Sequence, residues 1–203
     1  MRKKVLILIL LAPFLSGMVR TDGVKAGKPG DAGYIDITVE SNVNRLYFKY
    51  DLEGMCLTLK NVLKTAYAND TSFSAIRVPV KEFRSTNQMA YRDFLELVRS
   101  EEYPNQEIVI PDNHVYPYDS GSEVKLNGVA VKVAGVTRFY NINCKIEGTN
   151  ENSRLLTGTI RIKLTDFDIE PPVKWAGLVR VRNEIIVKFG LCIRNSPEVR
   201  VKA

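Results

Sequence analysis

Histidine is nearly absent from this chain: His114 stands alone among 203 residues. A histidine dyad and a multi-histidine metal centre are therefore excluded. Cysteine is also scarce. Cys56, Cys144 and Cys192 lie far apart, with none in CxxC or CxxxC spacing, which gives little support to a metal or redox role. In an oxidising compartment one pair could be bridged, and the odd count then leaves a third cysteine over. No apolar run reaches the roughly 20 residues of a membrane-spanning helix. Lys and Arg stand mostly singly among acids rather than in a stripe, which argues against nucleic acid as a partner. No repeat or low-complexity segment is visible, so collagen-like, coiled-coil and solenoid architectures fall away.

What is present is a composition of 45% apolar and 26% charged residues, enough to bury a core without metals or several disulfides. One domain is the default at this length. The chain opens on Arg2, Lys3 and Lys4, followed by VLILILLAPFL over residues 5–15 and then Ser16 and Gly17, the layout of a secretory signal peptide. The run is short and broken by Pro13, and no cysteine follows it for lipid attachment. Cleavage after Gly17 removes three positive charges, lowering the formal net charge from +6 to +3. The predicted organisation is a signal peptide over residues 1–17, a Gly-rich leader over 18–33 and one folded domain over 34–203. The processed protein is expected to have no stable membrane span and to be periplasmic or secreted.

Period-2 alternation dominates the remainder. YIDITVE and RLYFKYDL read as strands, the second with Leu46, Phe48 and Tyr50 on one face and Tyr47 and Lys49 on the other. In MCLTLKNVLKTAY a strand is expected first, then a turn. SFSAIRVPV is a strand in which Pro79 points to an edge or a bulge. MAYRDFLELVRSEEY is the one strong helix, with Thr86 or Asn87 as its cap, an apolar stripe of Met89, Phe94, Leu97 and Val98, and Pro104 as its stop. Its polar face carries Arg92, Glu96 and Arg99, suited to intrahelical charge pairs. Beyond it the chain reads as antiparallel sheet. Tyr140, Ile142, Cys144 and Ile146 alternate with Phe139, Asn141, Asn143 and Lys145, and Ile160, Ile162 and Leu164 with Arg161, Lys163 and Thr165. Asn127-Gly128 suits a hairpin or bulge, and Gly135 marks a bend. Seven to nine evenly spaced strands with one helix predict a mainly β fold, a barrel or sandwich, since parallel strands would need a crossover helix between each pair.

Two blocks carry a family resemblance. YRDFLELVRSEEYPNQEIVI, with Arg92, Asp93, Leu95, Ser100, Glu101, Tyr103, Pro104 and Ile108 as landmarks, resembles the helix-to-strand block of the YceI-like family. LNGVAVKVAGVTRFYNINCKI and LTGTIRIKLTDFDI resemble its later strands, through Gly135, Val136, Thr137 and Arg138 and then Gly158, Asp166, Phe167 and Ile169. The chain departs from the family pattern in its short N-terminal strands, in the compact region from Arg77 to Asn87 and in lacking the family's histidines. The resemblance implies an exported bacterial protein with a lipocalin-like antiparallel β-barrel of about eight strands and one short α-helix. It also implies a polyprenyl chain or isoprenoid-bearing quinone inside the barrel, with no catalytic residue and no required cofactor.

The candidate ligand-binding residues are the expected dry face: Phe48, Ile76, Val78, Ile108, Val131 and Tyr140, then Ile142, Ile160, Ile162, Leu164 and Phe189, together with Trp175 as a rim or lid aromatic or a core plug. Ile186 is placed on the same face. Periodicity identifies the inward face without saying whether it is filled, so ordinary core packing stands beside ligand binding. Tyr116 and Tyr118 border a mouth or simply face solvent. His114 beside Asp112 has no nucleophile motif near it, and Asp166 and Asp168, at strand-like spacing, fit a strand-terminal DF motif better than paired acids. Arg138 is read as a structural salt bridge ahead of a headgroup contact. Two functional readings follow: an exported, non-enzymatic carrier of an isoprenoid or similar apolar molecule, or a filled barrel serving as an envelope structural or protein-interaction module. A homodimer is left open.

Overall fold

The computed structural model describes residues 33–52, 56–58, 73–111, 120–150 and 153–194. The expected signal peptide and nearly all of the expected leader lie outside these residues, as do Asp112, His114, Tyr116 and Tyr118. The strands are β1 (Gly33–Ser41), β2 (Arg45–Leu52), β3 (Cys56–Thr58), β4 (Phe73–Pro79), β5 (Asn105–Pro111), β6 (Glu123–Val133), β7 (Val136–Asn150), β8 (Ser153–Lys163), β9 (Val173–Lys174) and β10 (Val179–Arg194). One α-helix, α1 (Gln88–Leu97), and two 3-10 turns, Val80–Glu82 and Leu164–Phe167, complete the described elements.

Eight strands form a curled sheet in the order β2-β1-β10-β8-β7-β6-β5-β4, each pair antiparallel. β9 pairs with the start of β10, and β3 departs from the all-antiparallel expectation by running parallel to its end. Cys56 lies opposite Cys192 in that register, and Cys192 is disulfide-bonded. The two outermost strands of the path share no ladder. Lys49 of β2 meets Arg84, just beyond β4, in an isolated bridge of two backbone hydrogen bonds of 2.9 and 2.8 Å, with an Arg84–Asp51 ion pair beside it. Pro79 ends β4, an outermost strand, where its missing N–H costs no ladder bond.

Because side chains alternate across a strand, register aligns the apolar residues into transverse rows. One row runs Val124, Cys144, Gly158, Phe189, Ile35 and Tyr50 across β6, β7, β8, β10, β1 and β2. The next carries Ile160, Val187, Ile37 and Phe48, and the one after it Ile162, Ile185, Val39 and Leu46. Ile186 corrects the sequence reading: it lies opposite Arg161 and Thr38 on the outward parity. An odd separation of three from Phe189 places the two side chains on opposite faces.

Helix α1 covers one end of the sheet. Asn87 caps it, its side chain accepting from Ala90 N. The helix stops well before Pro104. Arg99 adopts φ +51°, Ser100 N donates to Leu95 O and Arg99 N to Glu96 O, a left-handed termination usually given to glycine. Phe94 reaches down to stack on Phe48 at 4.6 Å and meets Phe83 edge-on at 5.5 Å. Met89 does not join this stripe: it is exposed. Asp93 accepts from Lys174 of β9 at 3.1 Å, which ties the helix to that segment, while Arg99, just past the helix end, pairs locally with Glu102.

The two glycine steps resolve differently. Gly128, at φ +69°, sits in the bulge between Leu126 and Val129. Ala134 and Gly135, at φ +49° and +85°, form the two-residue turn joining β6 and β7, as the twist of a tight hairpin requires. The helix end holds this turn. Arg99 Nη2 donates to Ala134 O at 2.6 Å, Ala134 N donates to Gln106 Oε1 at 3.0 Å, and a Cβ on Gly135 would lie 2.7 Å from the Tyr103 ring. The two sequence blocks behind the family resemblance thus meet in space.

Candidate functional site

Inside the curled sheet the rows leave two unfilled chambers. The upper one, beneath α1, has a volume of about 120 Å³ and is walled by Val78, Ile108, Val131, Ile162 and Leu164, with Phe94, Leu97 and Val98 above and Phe167 and Ile169 beside. The inner one, about 60 Å³, is walled by Leu126, Val129, Ile142, Ile160, Phe189 and Leu191. Ile35, Ile108, Val131, Ile162 and Val187 border both, so a single tier of side chains separates them. One water needs about 10–15 Å³ of such space, and an apolar cavity of about 150 Å³ is known to stay dry and admit benzene. These chambers belong to that class.

Their walls hold almost no polarity. Gln106 and Glu107 contribute to the upper rim, yet their polar atoms are engaged elsewhere. Gln106 accepts from Ala134 N and donates to Tyr103 O at 3.3 Å, while Glu107 faces Arg77 and Lys132 at 3.6 and 3.9 Å. Among the described residues, Glu107 is the one charged side chain in the lining of either chamber. Ionisable groups sit in the inward rows too, among them Cys144 and Tyr140. Burial pushes the Cys144 thiol up to about 12. Burial also raises the Tyr140 phenol, with the carboxylate of Asp166 adding to it, and the Tyr140 hydroxyl has no hydrogen-bond partner. Both environments favour the neutral form.

Of the sequence candidates, Val78, Ile108, Val131, Ile142, Ile160, Ile162, Leu164 and Phe189 line a chamber. Phe48 and Ile76 are buried in the surrounding core, and Tyr140 packs against it and stacks on Phe167 at 6.5 Å. Leu164 arrives from a 3-10 turn rather than from strand alternation. Trp175 is the exception. It is 70% exposed, on the turn between β9 and β10, and lines neither chamber, which removes the core-plug reading. Sequence reasoning missed Ile35 and Val187, although their strands carried the same period, and it gave the helical stripe no place in the site. Phe167 and Ile169, quoted as family landmarks, turn out to be chamber wall.

The polar candidates do not assemble into chemistry. Asp166 lies within a 3-10 turn that follows directly on β8, and Asp168 caps it at φ 58°, so the two stand at a strand end, as read from the sequence, and not as paired acids along a strand. Arg138 is exposed, donates to Thr137 O, and has no ion-pair partner among the described residues. Also among the described residues, no group of three or more His, Cys, Asp or Glu side chains is placed to hold a metal ion. No helix there is long and apolar enough to cross a membrane.

A curled antiparallel sheet of eight strands, plugged by one helix over an apolar interior, defines the class of lipocalin-like barrels. No protein-family model matches the sequence, and no curated protein does. Among solved structures, a polyisoprenoid binding domain from Saccharophagus degradans implicated in plant cell wall breakdown matches with a TM-score of 0.55 at 10% identity, covering 79% of this chain and 92% of that one. BcnA of Burkholderia cenocepacia matches at 0.49 and 14% identity, over 79% and 95% of the two chains. The YceI protein of Campylobacter jejuni matches at 0.47 and 12% identity, over 60% and 71%. At such identities the likeness is one of fold, and the fold expected from the sequence is the one observed.

Proposed function

We propose that this chain is an exported, non-enzymatic binding barrel that encloses a slender apolar molecule, with an isoprenoid tail as the favoured class. The observation that carries the reading is the pair of adjoining chambers, walled by aliphatic and aromatic side chains, with the polar atoms of Gln106 and Glu107 at the rim engaged elsewhere. Fold likeness alone does not transfer function. The solved structure with the same fold that is described as polyisoprenoid-binding supports the choice of ligand class. Removing ~300 Å² of apolar ligand surface from water is worth roughly 7–8 kcal/mol before association costs. No catalytic group, metal or cofactor is needed for that, and export fits the basic, apolar N-terminus.

The chambers hold only a portion of a long chain as they stand, so uptake requires the tier at Ile162 and Val187 to move. Extraction of the purified protein with organic solvent, followed by mass spectrometry, is expected to yield a stoichiometric lipid. Ile162→Phe, which fills the shared tier, is expected to lower occupancy while circular dichroism stays unchanged. An extract without lipid, from a protein that also fails to take up added isoprenoid, would favour the filled-barrel reading, to which the tight packing of Phe48, Phe83 and Phe94 already lends some support.

A further inference from the structure

The turn between β9 and β10 is built against local preference. Trp175, Ala176 and Gly177 take φ values of +52°, +51° and +93° in succession, a left-handed turn closed by Gly177 N to Lys174 O and Leu178 N to Trp175 O. L-residues other than glycine are disfavoured there, and strain of this kind persists where the surroundings fix it. The surroundings do so. Arg180 Nε donates to Gly177 O, Arg180 N donates to Asn42 Oδ1, and Asn42 Nδ2 donates to Leu178 O, at 3.2, 2.8 and 2.9 Å.

What this scaffold displays is apolar. Trp175 and Leu178 are 70% and 73% exposed, and Val173 and Val43, from the flanking β9 and the β1–β2 turn, are 59% and 62% exposed. The position is informative. Ser41 pairs with Val181, whose N–H donates to Pro172 O, so the apex stands just beyond Val39 and Ile185, which wall the upper chamber. Around it stand Arg45, Lys174, Arg180 and Arg182, against Glu40, which takes both Arg45 and Arg182, and Asp93, which takes Lys174. Basic groups exceed acidic ones in this collar.

We infer that this apex docks the protein on a lipid surface, with Trp175 and Leu178 entering the headgroup region. The size of the patch selects that occupant. Four side chains present a few hundred Å², the scale of patches found on monomers, whereas a stable protein interface takes about 800 Å² on each partner. A tryptophan flanked by arginine and lysine matches the chemistry of the membrane–water boundary, and the basic collar complements anionic headgroups. The inference goes beyond the carrier reading and supplies it with a source: an insoluble tail would be collected from the bilayer at the helix-plugged end of the barrel.

Trp175 is the only tryptophan, so its fluorescence reports the apex alone. In buffer, the full chain is expected to show a solvent-exposed emission that acrylamide quenches. Phosphatidylcholine vesicles should shift it to the blue and reduce that quenching several-fold, more so with phosphatidylglycerol included. Lipids brominated near the headgroup should quench it, and Leu178→Ser, with unchanged circular dichroism, should weaken both the blue shift and that quenching. An emission indifferent to vesicles, or quenched only by aqueous reagents, overturns the inference even if the chain floats through residues 5–15. An emission already blue and protected in buffer overturns it in favour of a second copy if it depends on protein concentration, and of a segment of the same chain if it does not. Ile162→Phe should leave docking intact, so failure of docking and failure of the carrier reading are separable.

Discussion

At Gly158 the barrel wall has no side chain because a neighbouring strand has filled the place. A Cβ there would overlap Phe189 Cζ and lie 3.1 Å from Cys144 Sγ. Gly158→Ala must therefore push the Phe189 ring into the inner chamber, and a loss of about 1–3 kcal/mol in chemical unfolding is expected. Phe189→Leu in the same chain should recover part of it, as coupled neighbours do. Cys144, beside it, is a free thiol only 4% exposed. In the native protein at pH 8 it should ignore an aromatic disulfide reagent and react once unfolded. The pH dependence has a definite sign. With a folded value of about 12 against 9.0 for a thiol exposed to water, the stabilisation is complete below pH 9 and is lost as pH rises toward 12. Thermal midpoints measured across that range should fall more steeply for the natural chain than for Cys144→Ala.

Among the elements, α1 joins local signals to tertiary ones. Asn87 satisfies a helix-end N–H, and Asn87→Ala should cost about 1 kcal/mol in thermal or denaturant unfolding. That cap was legible in the sequence, as were β1, β2, the Pro79 edge and the Gly135 turn, because each rests on residues near one another in the chain. The far end of the helix was not. Its stop at Arg99 depends on the bond from Arg99 to Ala134 O and on the Tyr103 ring beneath the guanidinium, 4.8 Å away. Those contacts exist only after the β6–β7 turn has docked. Ile186 failed for a simpler reason: its apolar character was counted and its parity was not. The chamber wall was partly legible through strand alternation, while the helical and 3-10 contributions from Phe94, Leu97, Phe167 and Ile169 needed the third dimension.

For the whole molecule, a cargo that binds only the folded barrel must raise its stability. At a hundredfold excess over Kd this amounts to about 2.7 kcal/mol. For a chain of this size each kcal/mol moves Tm by about 2–4 °C, so calorimetry with a soluble short isoprenoid should show a rise of roughly 5–10 °C, and Ile162→Phe should remove it. The way the sheet is closed bears on how such a cargo gets in. A ring joined by a full ladder has a circumference fixed by its strand count. Here the join between Lys49 and Arg84 works as a clasp. Two backbone hydrogen bonds hold it, with the aromatic contact of Phe94 on Phe48 and Phe83 lying over it. Parting any other neighbours on the path breaks a ladder, whereas releasing the clasp widens the girth of the vessel and leaves every ladder intact. The amides of Lys49 and Arg84 should accordingly exchange with solvent ahead of those in β7, β8 and β10.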